Sequence, residues 1–178
     1  MQPRNRMKMT FLAVPLFLLA CGKNPEQRAA EISREVDAAL SSQRWEQAEK
    51  KAQEILALSK LSDATRDQAR LKLEQAKSEQ QAKLHFQRFS GAAGTDHDTA
   101  MAAYRDMAQG SYYRTLAKSE YDRILPTYID DHLEKATSAN FNGRCTDAKQ
   151  QLQLVLDVDP QNTKAVELSK KPCSKKAE

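Results

Sequence analysis

No stretch of this chain alternates apolar and polar residues with a period of two, and that absence limits the fold more than any other feature of the sequence. Glycine (five) and proline (six) are scarce in 178 residues, whereas Ala, Leu, Gln, Lys and Glu abound. Those five residue types lose little side-chain freedom in a helix. The expectation is an all-α protein of about seven helices. The spacing predicts helices over 25–40, 45–58, 62–89, 98–108, 112–140, 145–156 and 163–170. Asn24-Pro25 supplies a cap and a first-turn proline for the first helix. Ser90 to Asp96 reads as a loop, and Pro126 is expected to kink or restart the fifth helix.

The N-terminus is a different kind of sequence. Arg4, Arg6 and Lys8 precede an apolar run from Met9 to Ala20 with no acidic residue. Twelve helical residues rise about 18 Å, too short for a hydrocarbon core of about 30 Å, so the run reads as an export signal. Leu18-Leu19-Ala20-Cys21 at its end resembles the lipobox of bacterial lipoproteins. That resemblance implies cleavage after Ala20 and acylation of Cys21, giving a signal peptide at 1–20 and an anchor with a short tether at 21–25. Each buried acyl CH₂ contributes about 0.8 kcal/mol to membrane binding. Gly22 stands where an aspartate would act as an inner-membrane retention signal, so the resemblance implies the outer membrane, periplasmic face. About four residues lie between Cys21 and the first helix, which holds the domain within about 15 Å of the bilayer.

Residues 1–20 carry three of the 28 basic residues and none of the 24 acidic ones. Without them the net charge falls from +4 to +1. So finely balanced a chain offers no electrostatic case for nucleic acid. The remaining 158 residues suffice for one domain with a core, over 26–173, followed by a basic tail at 174–178.

Leu133 to Pro160 carries Ala136, Ala139, Gly143, Ala148, Leu152, Val155 and Pro160. Small residues stand where two helices would touch, glycine where they turn, and proline where the second helix stops. This stretch resembles a tetratricopeptide repeat. Ile32, Val36, Ala39, Trp45, Ala48, Ala52 and Ile55 fit the same template with the aromatic kept and the turn glycine missing. A fainter unit surrounds Ala100, Tyr104 and Met107. The resemblance implies antiparallel helix pairs stacked as a short array, and a protein-binding rather than a catalytic role.

Export places Cys145 and Cys173 where disulfides persist. They lie fifteen residues before and thirteen after Pro160, so an antiparallel helix pair turning there brings them to one end. A bridge closing about 29 residues stabilises by about 3–4 kcal/mol in the chain-entropy model.

No nucleophile elbow, phosphate loop, zinc-protease motif or dinucleotide fingerprint is present, and no small-molecule substrate, cofactor or metal is expected. His97-Asp98 reads as a helix start, and Asp130, Asp131 and His132 point in different directions on a helix. Tyr113, Ala117, Tyr121 and Leu125 recur every four residues, so Tyr112, Tyr113, Tyr121 and Tyr128 are candidate partner contacts, with a core role as the competing reading. The function expected is a lipid-anchored adaptor or scaffold for a protein of the cell envelope. Similar lipoproteins accompany secretins, pili, motility complexes and outer-membrane protein insertion. The alternative is a spacer lipoprotein that self-associates through its long charged third helix.

Overall fold

The structure, a computed structural model, describes residues 24–172. Among them all regular structure is helical: α1 (Pro25–Ser41), α2 (Trp45–Leu56), α3 (Asp63–Ala92), α4 (His97–Asp106), α5 (Tyr112–Phe141), α6 (Cys145–Val158) and α7 (Thr163–Lys170). The chain is an all-α protein. The lipobox, Cys21, Cys173 and the basic tail lie outside the described residues.

The helix starts follow local chemistry. Asn24 caps α1 through Glu26 N–H, with Pro25 in the first turn. Ser62, Asp96, Ser111 and Asn162 accept from the third backbone N–H beyond them at α3, α4, α5 and α7. Each satisfies a donor that has no partner inside the helix.

Two expectations are corrected. The loop drawn from Ser90 is still helix as far as Ala92, because Phe89 and Ala92 are both buried and packing holds Ser90-Gly91 in the helical turn. Pro126 does not restart α5, which is one element of 30 residues, about 45 Å long, with the proline inside it. The proline is exposed, and its missing donor falls on the outer side.

Consecutive helices pack against one another along the chain. In addition, α1 approaches α3, α3 approaches α5 and α5 approaches α7, while no two even-numbered helices bring Cα atoms within 8 Å. Three apolar clusters result. The first joins α1, α2 and the N-terminal half of α3 through Val36, Ala48, Ile55 and Ala76. A second joins the C-terminal half of α3 to α4 and the N-terminal half of α5, through Phe89, Met101, Met107, Ile124 and Tyr128. The third joins the C-terminal half of α5 to α6 and α7 through Leu133, Leu152, Val155 and Ala165. Thus α3 and α5 each belong to two clusters. Alanine dominates the contacts because close-packed backbones leave no room for longer side chains.

The first and third clusters are built alike, one hundred positions apart. Ser42, Gln43 and Arg44 donate to Ala38, Leu40 and Ala39 at 3.2, 3.1 and 2.9 Å. Asn142, Gly143 and Arg144 donate to Ser138, Asn140 and Ala139 at 3.1, 3.1 and 2.9 Å. Helices end at 41 and 141, restart at 45 and 145, and restart again at 63 and 163. The same interval relates Ala39 to Ala139, Ala48 to Ala148 and Ile55 to Val155, all buried. The turn glycine missing from the first unit is replaced in conformation by Gln43, at φ 58°.

Candidate functional site

Charge is placed at the α4–α5 corner by residues distant in sequence. Glu79, buried on α3, accepts the N–H of Tyr112 at 3.0 and 3.2 Å through its two carboxylate oxygens. A carboxylate there complements the positive end of the α5 dipole. Arg114 reaches back to the last carbonyls of α4, with Nη1 2.6 Å from Met107 O and 3.3 Å from Tyr104 O. An anion therefore stands at one helix start and a cation at the adjoining helix end. Glu26 repeats the first device at the other end of the array. It accepts from Ser62 N–H and from the Thr65 hydroxyl at 2.7 Å. The backbone bond from Ser62, and next the Thr65 hydroxyl, hold its carboxyl below the ordinary range.

The four candidate tyrosines do not share a surface. Tyr128 is buried in the second cluster, its ring edge-on to His132 at 4.3 Å between centroids, and burial followed by the nearby Asp98 charge pushes its phenol up. Tyr121 stacks on Tyr104 at 3.9 Å, with the planes 19° apart. Arg114 covers the Tyr104 ring at 4.6 Å. Burial first, and then Tyr104, raises the Tyr121 phenol. Tyr113 accepts from the indole N–H of Trp45 at 3.2 Å and packs on Phe86. These three rings belong to the packing between helices. Tyr112 is exposed.

The polar residues singled out at the start of α4 and in α5 are dispersed. Asp96, not Asp98, caps α4, accepting from Thr99 N–H at 3.0 Å. That bond holds its carboxyl below the usual range. Asp98 instead meets Nε2 of buried His132 at 2.8 Å, and the other ring nitrogen of His132 lies 2.6 Å from Gln151 Oε1. One buried imidazole so ties α4, α5 and α6 together. Among the described residues no three His, Cys, Asp or Glu side chains are grouped to hold a metal ion. Cys145 is the first residue of α6, half-buried.

A large open cavity lies elsewhere, between the C-terminal half of α5 and α7. It has a volume of about 770 Å³ and mainly apolar walls, with Leu133, Phe141 and Leu168 among its lining residues. Phe141 is 83% exposed, more than any other large apolar side chain described. The sequence reading passed over Phe141 and Leu168. The signal that finds them is the hundred-residue correspondence, in which the polar Ser41 and Gln68 become apolar at 141 and 168.

No family model, curated protein or solved structure matches this chain. Among the described residues no helix is long and apolar enough to cross a membrane.

Proposed function

We propose that the chain is a lipid-anchored, non-enzymatic adaptor that binds a protein partner in the bacterial cell envelope. The observation that carries this reading is the pairing of a lipobox at Cys21 with a helical array that leaves a large apolar groove open between α5 and α7. Buried polar groups such as Glu79 and His132 are engaged in joining helices, which supports a scaffold more than a reaction centre. The outer membrane, periplasmic side, is the proposed location, with Cys145 and Cys173 paired as a disulfide and the stack of helix pairs read as tetratricopeptide-like.

The competing spacer reading needs a free seam along α3. Ala69 and Ala76 pack in the first cluster, and Ala82, Phe89 and Ala92 in the second, so the seam is occupied within the chain. Size-exclusion chromatography with light scattering separates the two, since the adaptor predicts a compact monomer and the spacer an elongated dimer. Affinity capture of the full-length protein from crosslinked envelopes tests the adaptor directly. A Cys21→Ser variant should lose membrane association, and one that stays in the membrane fraction overturns the anchor.

A further inference from the structure

We propose that His132 is a buried proton-binding site that tightens the joint between the second and third clusters on acidification, with Gln151 turning its amide to follow the proton. Three observations carry this: the burial of the ring, the atoms that face its two nitrogens, and the residue that fills the same place one unit earlier.

His132 is 1% exposed. One hundred positions upstream the matching place on α1 holds Ile32, also buried, so the fold accepts an apolar side chain there. An imidazole in such a place costs stability unless both nitrogens find partners. Both do, on different helices. Nε2 lies 2.8 Å from Asp98 Oδ1 on α4, and Nδ1 lies 2.6 Å from Gln151 Oε1 on α6. These links cross a gap that the α4 and α6 backbones do not close. Gln151 is itself a departure from the first unit, where Lys51 pairs with Glu35 and Glu54 at 2.8 and 3.2 Å.

The two contacts place the protons. A carboxylate only accepts, so Nε2 carries a hydrogen. Gln151 turns an oxygen to the ring, which also only accepts, so Nδ1 carries one as well. In this arrangement the ring is an imidazolium that donates on both sides. A neutral ring keeps its Nε2–H on Asp98 and leaves a lone pair on Nδ1. A half-turn of the Gln151 amide then offers that lone pair an N–H in place of the oxygen. Neither form leaves a ring nitrogen unpaired. The difference lies at Asp98, where a hydrogen bond from a charged ring is about twice as strong as one from a neutral ring. The Asp98 side chain is 60% exposed and gives the buried ring a route to solvent for the proton.

The surrounding charges agree with this sign. On α5 Tyr128 meets the ring edge-on, and burial followed by Asp98 pushes its phenol up, so it stays neutral. Arg105 of α4 and Asp157 of α6 pair with each other at 3.2 Å. Gln151 shares the groove between α5 and α6 with Asp131, Glu134, Lys135, Arg144 and Asp147, where acids outnumber bases. Histidine is the side chain whose charge ordinarily changes between pH 5 and 8. A tie that is stronger to the protonated ring stabilises as pH falls and weakens as pH rises, the opposite sign from Glu26.

The test follows the imidazole nitrogens of the purified full-length protein in detergent micelles, labelled with nitrogen-15 at histidine and glutamine, from pH 8 to pH 5. His85→Gln and His97→Gln, at half-buried positions, assign the His132 signals by elimination. The expected result is Nε2 protonated throughout, Nδ1 gaining a hydrogen within the window, and the Gln151 side-chain amide shifting with the same midpoint. In thermal unfolding, Asp98→Asn should lower the melting temperature by more at pH 5.5 than at pH 8. In a His132→Ile background, which restores the residue of the first unit, that loss should be the same at both pH values. An Nδ1 that does not change, a Gln151 amide that ignores the titration, or an equal Asp98→Asn loss at both pH values in the presence of His132 overturns the inference. Should His132→Ile fail to fold, the nitrogen titration decides alone.

Discussion

Gln43 and Gly143, one hundred positions apart, hold the same left-handed place in the same turn, at φ 58° and 73°. Each donates its N–H three residues back, to Leu40 and Asn140, at 3.1 Å. A left-handed backbone costs a non-glycine residue about 1–2 kcal/mol, a cost glycine escapes. Gln43→Gly should therefore raise unfolding stability by about 1 kcal/mol, and Gly143→Ala should lower it by a similar amount. Urea midpoints of both variants check the pair, and equal signs would refute a shared turn.

Glu79 predicts a second effect. Glu79→Ala leaves Tyr112 N–H unpaired at a helix start and removes the anion facing the dipole, a loss of about 1–3 kcal/mol. Glu79→Gln keeps an acceptor and should lose less. Chemical denaturation of the three proteins at one pH gives the order, and an alanine variant as stable as wild type would contradict it.

Glu26 gives a pH dependence with a defined sign. Its carboxyl is held below the ordinary range by Ser62 N–H and then by Thr65. A depressed folded value stabilises above the unfolded value, about 4.3, and the contribution disappears as pH falls through the folded value. Wild type should therefore exceed Glu26→Gln in stability at pH 7, the gap closing below about pH 4. Melting curves across pH 3–7 measure it, and a gap independent of pH would show that the carboxylate charge is irrelevant.

The tyrosines separate by burial. Tyr128→Ala should cost about 3–5 kcal/mol by opening a cavity in the second cluster. Tyr112→Ala should leave melting within about 0.5 kcal/mol of wild type. Thermal unfolding of the two variants is sufficient, and equal losses would place Tyr112 in the core as well.

Cys145 and Cys173 should be joined in the exported protein. Non-reducing peptide mass spectrometry should find the bridge and thiol titration no free sulfhydryl; two free thiols would refute it.

The helix count was legible because five of the seven helix starts carry a side-chain cap, as Asn24 does for α1 and Ser62 for α3. The other two, α2 and α6, follow Arg44 and Arg144 without one and show only in the apolar spacing behind them. What local signals missed, packing decided. Gly91 reads as a breaker, yet buried Phe89 and Ala92 carry α3 through it. Pro126 reads as a kink or restart, yet Ile124 before it and Tyr128 and Leu133 after it bind α5 into two clusters as one element. The four-residue recurrence of Tyr113 and Tyr121 fits a binding stripe and a core stripe equally, and only Trp45 and Tyr104 opposite them distinguish the two. Glu79 and Arg114 escaped notice because a glutamate 33 positions before the N–H it accepts has no periodic signature. Phe141 escaped because it belongs to no inward stripe.

The two long helices also govern how the protein bears load. In a stack of separate helix pairs, a bending moment is taken up at the joints, where side chains slide. Here the joint between the first and second clusters lies in the middle of α3, and that between the second and third lies in the middle of α5, beside Pro126. To flex there, the chain must bend a continuous helix and strain its backbone hydrogen bonds, besides shearing an interface. The array should act as a stiff strut in its first half, with its weakest section where Pro126 removes one bond from α5. A pull at α1 would then reach α5 with little damping, and α6 and α7, packed against α5, would follow it as a change in tilt.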